Sequence, residues 1–421
     1  MVTSWNEKKL GDISEIRMCK RIFANQTTPT GEIPFFKIGT FGKEPDAYIS
    51  RSLYDEYRSK YSFPCKRDIL LSAAGTLGRT VVYDGKPAYF QDSNIVWLEI
   101  DQSQICNEYL NHCYQVMKWA SPEGSTISRL YNGIIRDTDI KLPPLSEQRR
   151  IAEVLSDTDA LIAAMEKLIA KKRAIKQGAM QGLLTGRLRL PGFEGEWVET
   201  TLGSIGDFSK GRGISKDEAH SGKIPCVRYG EIYTHHNDYV KEFNSYISEE
   251  VAESSRYLRI GELLFAGSGE TKEEIGKCVA FTNQCEAYAG GDIIILTLRI
   301  EADSLFLGFY LNSRPIAEQK ASRGQGDAIV HISAASLAEI EIQLPAFSEQ
   351  TAIAEILSDM DAEIDALAAK LSKLRNIKQG MLSELLTGRI RLVEEKMPLL
   401  RVAEEQAEYH AARRELTDAE D

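Results

Sequence analysis

The sequence lacks the features by which several common classes of protein are recognised. Its seven cysteines form no CxxC pair and no cysteine–histidine spacing of a zinc site, so we expect reduced thiols in a cytoplasmic protein. No apolar run approaches the roughly 18 residues that cross a membrane, and the N-terminus MVTSWNEKKL has no apolar signal core. The sequence therefore argues against a disulfide-bonded secreted domain, a zinc site and a membrane partner.

Motifs of catalytic chemistry are missing as well. The letters DEAH at Asp217–His220 imitate a helicase magnesium motif, but no G-x-x-x-x-G-K-S/T phosphate loop accompanies them. GSGET from Gly267 is glycine-rich, yet it lacks the strand–loop–helix context of a dinucleotide site. The six histidines stand at no metal-ligand spacing, and we find neither an Asn/Asp-Pro-Pro-Tyr adenine-methylation tetrad nor a carboxylate-plus-lysine nuclease signature. We therefore expect no catalytic residues, no metal and no cofactor on this chain.

Basic charge is scarce too. The chain has 51 lysines and arginines against 62 aspartates and glutamates, a formal net charge of -11. A nucleic-acid-binding protein usually shows a basic footprint instead. Part of the acidic excess lies in the segment after Leu392. Any contact with DNA must therefore come from local basic clusters rather than from the field of the whole molecule.

What the sequence does contain is one long internal repeat. Leu142–Leu190 (LPPLSEQRRIAEVLSDTDALI…IKQGAMQGLLTGRLRL) matches Leu344–Leu392 (LPAFSEQTAIAEILSDMDAEI…IKQGMLSELLTGRIRL) without a gap. Upstream, Trp5, Leu10, Gly11 and Ile13 recur as Trp197, Leu202, Gly203 and Ile205. A repeat of this length indicates two copies of one unit, and 421 residues with 43% apolar content can bury two domains.

The repeated segment is predicted to be a long helix of coiled-coil type. Pro144 and Pro345 stop the preceding strand-like runs, and Ser146 and Ser348 are N-cap candidates. Apolar side chains recur in steps of four and three, the 3.5-residue period of a coiled-coil seam. The predicted seam consists of Ile151, Leu155, Ile162, Met165 and Ile169 in the first copy and of Ile353, Leu357, Ile364, Leu367 and Leu371 in the second. About 40 residues would make a rod of roughly 60 Å.

An apolar stripe on a helix is often explained by packing onto its own domain. Two matched stripes of equal length in one chain are, however, natural partners for each other. If they pair antiparallel, the two globular halves lie at opposite ends of a rod with a pseudo-twofold axis. The expected division is 1–144 for the first globule, 145–190 for the first helix, 191–346 for the second globule, 347–392 for the second helix and 393–421 for an acidic tail.

The globular halves are predicted to be α+β domains. Short apolar runs such as IPFFKI, DILLSA and NIVWLEI are typical of strands, and NEYLNHCYQVMKWA is typical of a helix. The offset between the two copies changes in glycine- and serine-rich loops, above all SAAGTLG (Ser72–Gly78) against AGSGETKEEIG (Ala266–Gly276). Loops tolerate insertions and carry recognition. Each half therefore has a constant frame with a variable reading edge.

These motifs resemble the specificity subunit of type I restriction–modification systems over about residues 1–392. The resemblance rests on the paired LP…SEQ…IAE(V/I)LS helices, their LLTGR endings, GTLG and the W…LG…I pattern. It implies two target recognition domains, each reading one half of a bipartite DNA site, and two antiparallel helices that set the spacer. It also implies two docked methyltransferase subunits that methylate adenine N6 with S-adenosylmethionine, and restriction/translocase subunits that use ATP and magnesium. The acidic tail matches nothing in the family pattern.

Basic and polar residues in the loops are the candidates for DNA contact, because arginine and lysine can donate to guanine and to phosphates. In the first half they are Lys37, Arg58, Lys60, Gly75, Thr76, Gly78, Arg79, Arg129 and Arg136. In the second half they are Arg212, Lys216, Arg228, Tyr229, Thr271, Lys272, Lys277 and Arg323. Two further loops, Ser121–Arg136 and Ala321–His331, are also candidate reading edges. A single lysine or arginine in a loop is usually a solvated surface residue. The prediction of DNA contact therefore rests on the loops as a set, because they lie at matching positions of the two halves.

Two rival hypotheses remain open. The chain could be a duplicated coiled-coil scaffold that binds proteins and has no role with DNA, which its acidic charge would suit. It could also be the recognition half of a combined restriction–methylation enzyme whose catalytic part lies on another chain. The dependence of binding on salt separates the scaffold from a DNA-binding protein, because affinity for DNA falls steeply as salt rises.

Overall fold

The protein divides into two compact units, and both boundaries between them fall within long helices. The structure is a computed structural model that describes residues 5–119, 129–326 and 329–392. One unit combines Met1–Ala164 with Leu371–Asp421, and the other is Met165–Lys370. We refer to them as unit 1 and unit 2. The predicted acidic tail, 393–421, lies outside the described residues.

Unit 1 contains a globular α+β domain before its first long helix. Its strands are β1 (Asn6–Lys9), β2 (Ser14–Arg17), β3 (Ile33–Phe36), β4 (Tyr48–Ile49), β5 (Ile69–Ser72), β6 (Thr80–Val82), β7 (Tyr89–Phe90), β8 (Ile95–Ile100) and β9 (Asp139–Leu142). Its helices are α1 (Leu10–Ile13), α2 (Arg51–Lys60), α3 (Asn107–Val116) and α4 (Asn132–Asp137), with a 3₁₀ turn at Ala24–Gln26. The first long helix, α5, covers Leu145–Leu183, and the boundary between the units falls within it, after Ala164.

Unit 2 repeats this order with a few insertions. Its strands are β10 (Val198–Thr201), β11 (Gly206–Lys210), β12 (Ile224–Val227), β13 (Ser245–Ile247), β14 (Arg256–Tyr257), β15 (Leu263–Ala266), β16 (Ser268–Gly269), β17 (Cys278–Ala280), β18 (Tyr288–Ala289), β19 (Ile293–Leu298), β20 (Val330–His331) and β21 (Glu341–Leu344). Its helices are α6 (Leu202–Ile205), α7 (Tyr229–Thr234), α8 (Glu249–Ser254), α9 (Ser304–Tyr310), α10 (Arg314–Arg323) and α11 (Ala334–Ala338). The second long helix, α12, covers Phe347–Leu385.

Every sheet of unit 1 has a counterpart in unit 2, which also contains the two-stranded sheet β16-β20. A four-stranded antiparallel sheet has the order β2-β8-β5-β6 in unit 1 and β11-β19-β15-β17 in unit 2. The pair β1-β9 corresponds to β10-β21, and β4-β3-β7 corresponds to β13-β12-β18, to which β14 is added at the edge. The repeat seen in the helices therefore extends through both globular domains, which are α+β as predicted.

Within each unit the two long helices run antiparallel. In unit 1, Lys378 Nζ lies 2.5 Å from Asp159 Oδ1. In unit 2, Lys176 Nζ lies 2.7 Å from Asp361 Oδ1 and Lys172 pairs with Glu363 at 2.6 Å. The partner's residue number falls as the residue number rises, which is the pattern of antiparallel helices. No helix of the described residues is both long and apolar enough to cross a membrane.

Most of the predicted seam is buried. Ile151, Leu155 and Ile169 on α5, and Ile353, Leu357, Ile364 and Leu371 on α12, are buried, whereas Ile162, Met165 and Leu367 are half-buried. The first two positions of each stripe also belong to the core of a globular domain: Ile151 and Leu155 pack in one cluster with Leu382 and Leu385 of the other helix. The ends of the stripe thus serve the helix pair and the domain at once.

The helices begin earlier than the serines predicted. Pro144 and Ala346 supply the carbonyl oxygens that accept the first helical N–H groups, at 2.9–3.0 Å, so Ser146 and Ser348 lie inside the first turn and are not the N-caps. Helix α5 ends at Leu183 and α12 at Leu385, just before the Thr-Gly pairs 185–186 and 387–388. A glycine with φ of +67° at 186 and +75° at 388 follows each end, a conformation that favours glycine.

A buried carboxylate at the start of each long helix binds an arginine that follows the end of the other. In unit 1, Glu147 accepts two hydrogen bonds from Arg391 at 2.8 and 2.7 Å, one from the Leu392 N–H at 3.1 Å and one from Trp5 Nε1 at 3.2 Å. In unit 2, Glu349 accepts two from Arg189 at 2.6 and 2.7 Å. We call these two ion pairs the clasps. The glutamate side chains are only 3% and 2% exposed, whereas the arginines are 18% and 27% exposed, so the carboxylate end of each clasp is shielded from water.

The glutamine next to each clasp ties the helix to its domain. Gln148 accepts from the Cys106 N–H at the start of α3 at 3.0 Å and donates to the Pro143 carbonyl oxygen at 2.9 Å. Gln350 does the same with the Asp303 N–H before α9 and with the Pro345 carbonyl oxygen. The repeated Ser-Glu-Gln motif therefore has a physical explanation, because its last two side chains join helix, partner helix and domain.

The clasp of unit 1 makes stability depend on pH in a defined direction. Burial alone would raise the pKa of the Glu147 carboxyl, but hydrogen bonds from Arg391 and Trp5 outweigh it and hold that pKa below its usual range. A carboxyl with a lowered folded-state pKa stabilises the fold above the ordinary value of about 4.3 and loses that contribution as the pH falls through the folded-state pKa.

We therefore expect Glu147→Gln to lower the free energy of unfolding by about 3 kcal/mol at neutral pH. The difference from the unmodified chain should shrink as the pH falls below about 4. Urea titrations across this pH range measure it, with Glu153→Gln, an exposed carboxylate on the same helix, as the control. A difference that stays constant down to acid pH would contradict the clasp assignment.

The seam gives a second stability prediction. Ile364 is 7% exposed, so Ile364→Asp would bury a carboxylate with no partner, at a cost of several kcal/mol. Ile377→Asp on the same helix is the matched control, because that side chain is already 48% exposed. Urea unfolding followed by circular dichroism should show a large decrease in the free energy of unfolding for Ile364→Asp and a small one for Ile377→Asp. Equal decreases would mean that burial in the seam adds no stability.

Candidate nucleic-acid interface

The loop after β5 is the first candidate reading loop of unit 1. The Ser72 hydroxyl donates to the Thr76 carbonyl oxygen at 2.6 Å and accepts from the Arg79 N–H at 2.9 Å. Gly75 and Gly78 have φ of +68° and +78°, the left-handed region that glycine enters without steric cost. The loop is therefore a closed turn whose tip, Gly75 and Thr76, is exposed.

A second predicted loop lies against the first. Arg129 forms a β-bridge with Ala74, and the Leu130 N–H donates to the Ala73 carbonyl oxygen at 2.8 Å. The Arg129 guanidinium donates to the Ser93 carbonyl oxygen at 3.4 Å. Residues 120–128 of this loop lie outside the described residues. Two segments chosen separately from the sequence are thus brought together at one edge of unit 1.

Unit 2 pairs the same two segments at the equivalent place. Strands β16 and β20 pair with Ser268 opposite His331, and the Ile332 N–H donates to the Gly267 carbonyl oxygen at 3.0 Å. Ser268 Oγ lies 2.9 Å from His331 Nδ1. The pair Ser268 and His331 therefore occupies the position that Ala74 and Arg129 occupy in unit 1. The frame is shared, and the side chains it presents differ.

A cavity of about 270 Å³ opens beside this pair in unit 2. Lys210 and Arg323 line it together with Ser268, His331 and Asp292. Ammonium, guanidinium and hydroxyl donors suit phosphate oxygens and the acceptor edges of bases, while a carboxylate accepts from a cytosine amino group. The cavity can therefore hold part of a nucleotide, and its residue types suit both positioning and base contact.

Two of the predicted DNA contacts are directed inward. Arg79 donates to the Ile38 carbonyl oxygen at 3.0 Å and lies over the Phe41 ring at 5.3 Å. Lys277, its equivalent in unit 2, donates to the His236 carbonyl oxygen at 2.8 Å, and burial lowers the pKa of its ammonium group. Each follows the left-handed glycine that closes its loop. Their contact with DNA stays a prediction, and in this structure both support the loop from beneath.

Other predicted residues of unit 1 are spread over its surface. Lys37 pairs with Asp46 at 2.8 Å and Lys60 with Glu56 at 2.9 Å. The guanidinium carbon of Arg58 lies 5.5 Å from the centre of the Phe63 ring. Arg136 is exposed on α4, where its side chain packs against Gly11 of α1. None of these contacts is with the loop after β5 or with Arg129.

In unit 2 the loop tip carries the exposed candidates. Thr271 and Lys272 are exposed on the loop between β16 and β17, and Arg212, Lys216 and Tyr229 are exposed elsewhere on the domain. Arg228 is half-buried, and its N–H donates to Glu231 Oε2 at 3.1 Å. Arg323 donates to the carbonyl oxygens of Gln319 and Glu339 at 3.2 and 3.3 Å while it lines the cavity.

Ser268 and His331 lie in the candidate loops Gly267–Lys277 and Ala321–His331, but sequence reasoning did not single out either residue. The sequence held a signal for Ser268, because the alignment of the two loops places this polar residue at the position of Ala74, whose side chain cannot form hydrogen bonds. Sequence reasoning also missed the partners of Glu147 and Glu349, which lie far away along the chain. Within the described residues, no group of three or more histidine, cysteine, aspartate or glutamate side chains is arranged to hold a metal ion.

Known proteins share both the sequence pattern and the fold. A protein of Haemophilus influenzae that carries the name of a type I restriction enzyme specificity subunit is 56% identical over 153 residues, which is 36% of this chain and 40% of that protein. The fold is similar to a type I restriction–modification S subunit from M. genitalium, with a TM-score of 0.59, 17% identity and coverage of 91% and 96% of the two chains.

A second solved structure, described by complex assembly and conformational transition of the type I R-M system, gives a TM-score of 0.54 at 17% identity and covers 91% of this chain and 97% of that chain. A family model described as the type I restriction modification DNA specificity domain matches residues 3–172 and, a second time, residues 194–376. These two matches cover most of the chain and coincide with the two repeated domains. The chain therefore belongs to the type I restriction–modification DNA specificity family and carries its domain twice.

Proposed function

We propose that this chain is the DNA-recognition subunit of a type I restriction–modification complex, with one domain for each half of a bipartite, asymmetric site. One observation carries the proposal: both units bring the same two loops together at one edge, and they present different side chains there. A constant frame with unlike loops is what two different half-sites require. Membership of the DNA specificity family supports it.

The long helices serve two further roles in this proposal. They fix the separation of the half-sites, and they dock two copies of one methyltransferase subunit, because the helices repeat more faithfully than the domains. S-adenosylmethionine, ATP and magnesium then belong to the partner subunits, as do adenine methylation and DNA cleavage by restriction/translocase subunits. The complex acts in the cytoplasm, where the chromosomal sites are accessible.

The two docking faces differ in one respect. Helix α5 exposes Val154, Leu161, Leu168 and Ile175 at seven-residue intervals, each by 39–52%. The equivalent positions of α12 are Ile356, Glu363, Lys370 and Ile377, so two of the four apolar side chains are replaced by charged ones. Burying one large apolar side chain contributes about 1.5–3 kcal/mol. Two partner copies should therefore bind with unequal affinity.

The test of the proposal is a binding selection. The chain, co-expressed with its methyltransferase subunit, is mixed with a pool of duplexes of random sequence, and the bound duplexes are sequenced. We expect one motif with two specified halves and an unspecified interval of fixed length. The affinity for it should fall by roughly 0.9 log unit per log unit of salt for each phosphate neutralised. A protein scaffold would select no motif and show no such salt dependence.

The exposed loop tips should set base preference separately. Thr76→Ala should change the preference in one half-site and Lys272→Met in the other, each costing about 1–3 kcal/mol if a base contact is lost. If Lys272 contacts phosphate instead, all sequences weaken alike and the salt slope falls by about one. Lys86→Met, an exposed lysine away from the loops, is the control. A single loop change that altered both half-sites would refute the one-domain, one-half-site assignment.

Native mass spectrometry of the co-expressed complex tests the docking surfaces. We expect two methyltransferase subunits per copy of this chain, with the second lost first on dilution and bound at least about tenfold more weakly. Leu161→Glu, which copies the α12 residue into α5, should bring the two affinities together. A complex that stops at one partner copy at high concentration would contradict the proposal.

A further inference from the structure

The glycine that closes each reading loop rests on a different side chain in the two units. A Cβ added to Gly78 would lie 2.3 Å from Trp119 Nε1, and one added to Gly276 would lie 3.2 Å from Lys320 Cδ. The spacing that separates the matched Tyr109 and Tyr310 also separates Trp119 from Lys320. Both side chains therefore occupy one position of the frame. The two readers therefore differ beneath the loop as well as in it.

Lys320 is buried and uses its ammonium group as a bridge. Lys320 is 2% exposed, and its Nζ donates to the Gly276 carbonyl oxygen at 2.7 Å and to the Leu311 carbonyl oxygen at 2.9 Å. Burial lowers the pKa of this ammonium group to about 8, against a smaller opposing effect of Cys278. Burying a cation is costly unless its donors are used. The lysine is therefore explained by the two carbonyl oxygens it joins, one in the loop and one at the end of α9.

The bridge fixes the base of the second reading loop. Gly276 has φ of +68°, and the next residue, Lys277, is directed inward to the His236 carbonyl oxygen. The other end of the loop is held by the pairing of Ser268 with His331. Only the tip is left exposed. A change in the anchoring of Gly276 would therefore alter where the tip residues lie.

Trp119 supports the first loop by packing and not by hydrogen bonding. Its ring centre lies 5.8 Å from that of Tyr114. Its Nε1 is buried and has no hydrogen-bond partner among the described residues. The indole Nε1 and Cδ1 atoms next to Gly78 and the ammonium bridge to Gly276 impose different constraints on two loops at equivalent places of the frame. The frame thus contributes to the difference between the two readers.

We propose that Lys320 is a positioning residue that sets the base preference of the second domain without contacting DNA, and that Trp119 has this role in the first. The inference rests on the proposed function and deepens it. It predicts that substituting a residue that lies beneath the interface and neutralises no phosphate changes the DNA sequence that is preferred.

The test uses Lys320→Met in the full chain, co-expressed with its methyltransferase subunit, and the pool of random duplexes. Methionine keeps the length and apolar stem and removes the donors. We expect discrimination at one or more positions of one half-site to fall by about five- to a hundredfold. The other half-site and the salt slope should be unchanged. Lys320→Arg, which retains donors, should restore part of the preference, and Trp119→Leu should relax the opposite half-site.

Arg314→Met is the matched control, because it removes a positive charge from an 89%-exposed side chain of the same helix. If Lys320→Met lowers the melting temperature but keeps both base preferences, Lys320 is only structural and the inference is wrong. A change in both half-sites also overturns it. If Lys320→Met does not fold, Trp119→Leu provides the same test on the first domain: unchanged base preference, or a change in both half-sites, contradicts the inference. If the unmodified chain selects no bipartite motif, the proposed function itself fails, which is a different result.

Discussion

The two clasps are the interaction on which the rest of the structure depends. Each is a buried, doubly hydrogen-bonded glutamate–arginine pair that joins the start of one long helix to the segment after the other, Glu147 with Arg391 and Glu349 with Arg189. Removing one partner would leave a buried charge unpaired, which costs far more than the pair contributes at a surface. The clasps therefore specify antiparallel pairing and its register more strictly than apolar contacts alone could.

Around the clasps, a shared frame presents unlike reading edges. Matching sheets place one glycine-closed loop beside a second segment in both units, and the side chains at that edge are Ala74 with Arg129 in one and Ser268 with His331 in the other. The side chains at the reading edge thus differ between the halves, while the long helices keep the same length and the same clasps. Even the support beneath the loops, Trp119 against Lys320, follows this division.

The features of the fold that could be predicted from the sequence are those that follow from periodicity or from comparison of the two repeats. The α+β class, the long helices and most buried seam positions follow from spacing, since one face of a helix must be apolar to pack. Partners distant along the chain left no such trace: Glu147 resembled an ordinary first-turn acid, although its arginine lies 244 residues away. Arg79 and Lys277 were chosen for charge and loop position, yet a left-handed glycine directs both inward, and composition does not reveal such a turn.

The central claim is that each domain reads its own half of one interrupted site for a methylating partner. Mapping N6-methyladenine in the genome of the host, with the gene intact and with it deleted, tests this most directly. The account predicts that one methylated motif disappears on deletion, and that it has two unlike halves separated by an unspecified interval of constant length. Loss of no motif, or loss of a continuous or symmetric one, would contradict the account.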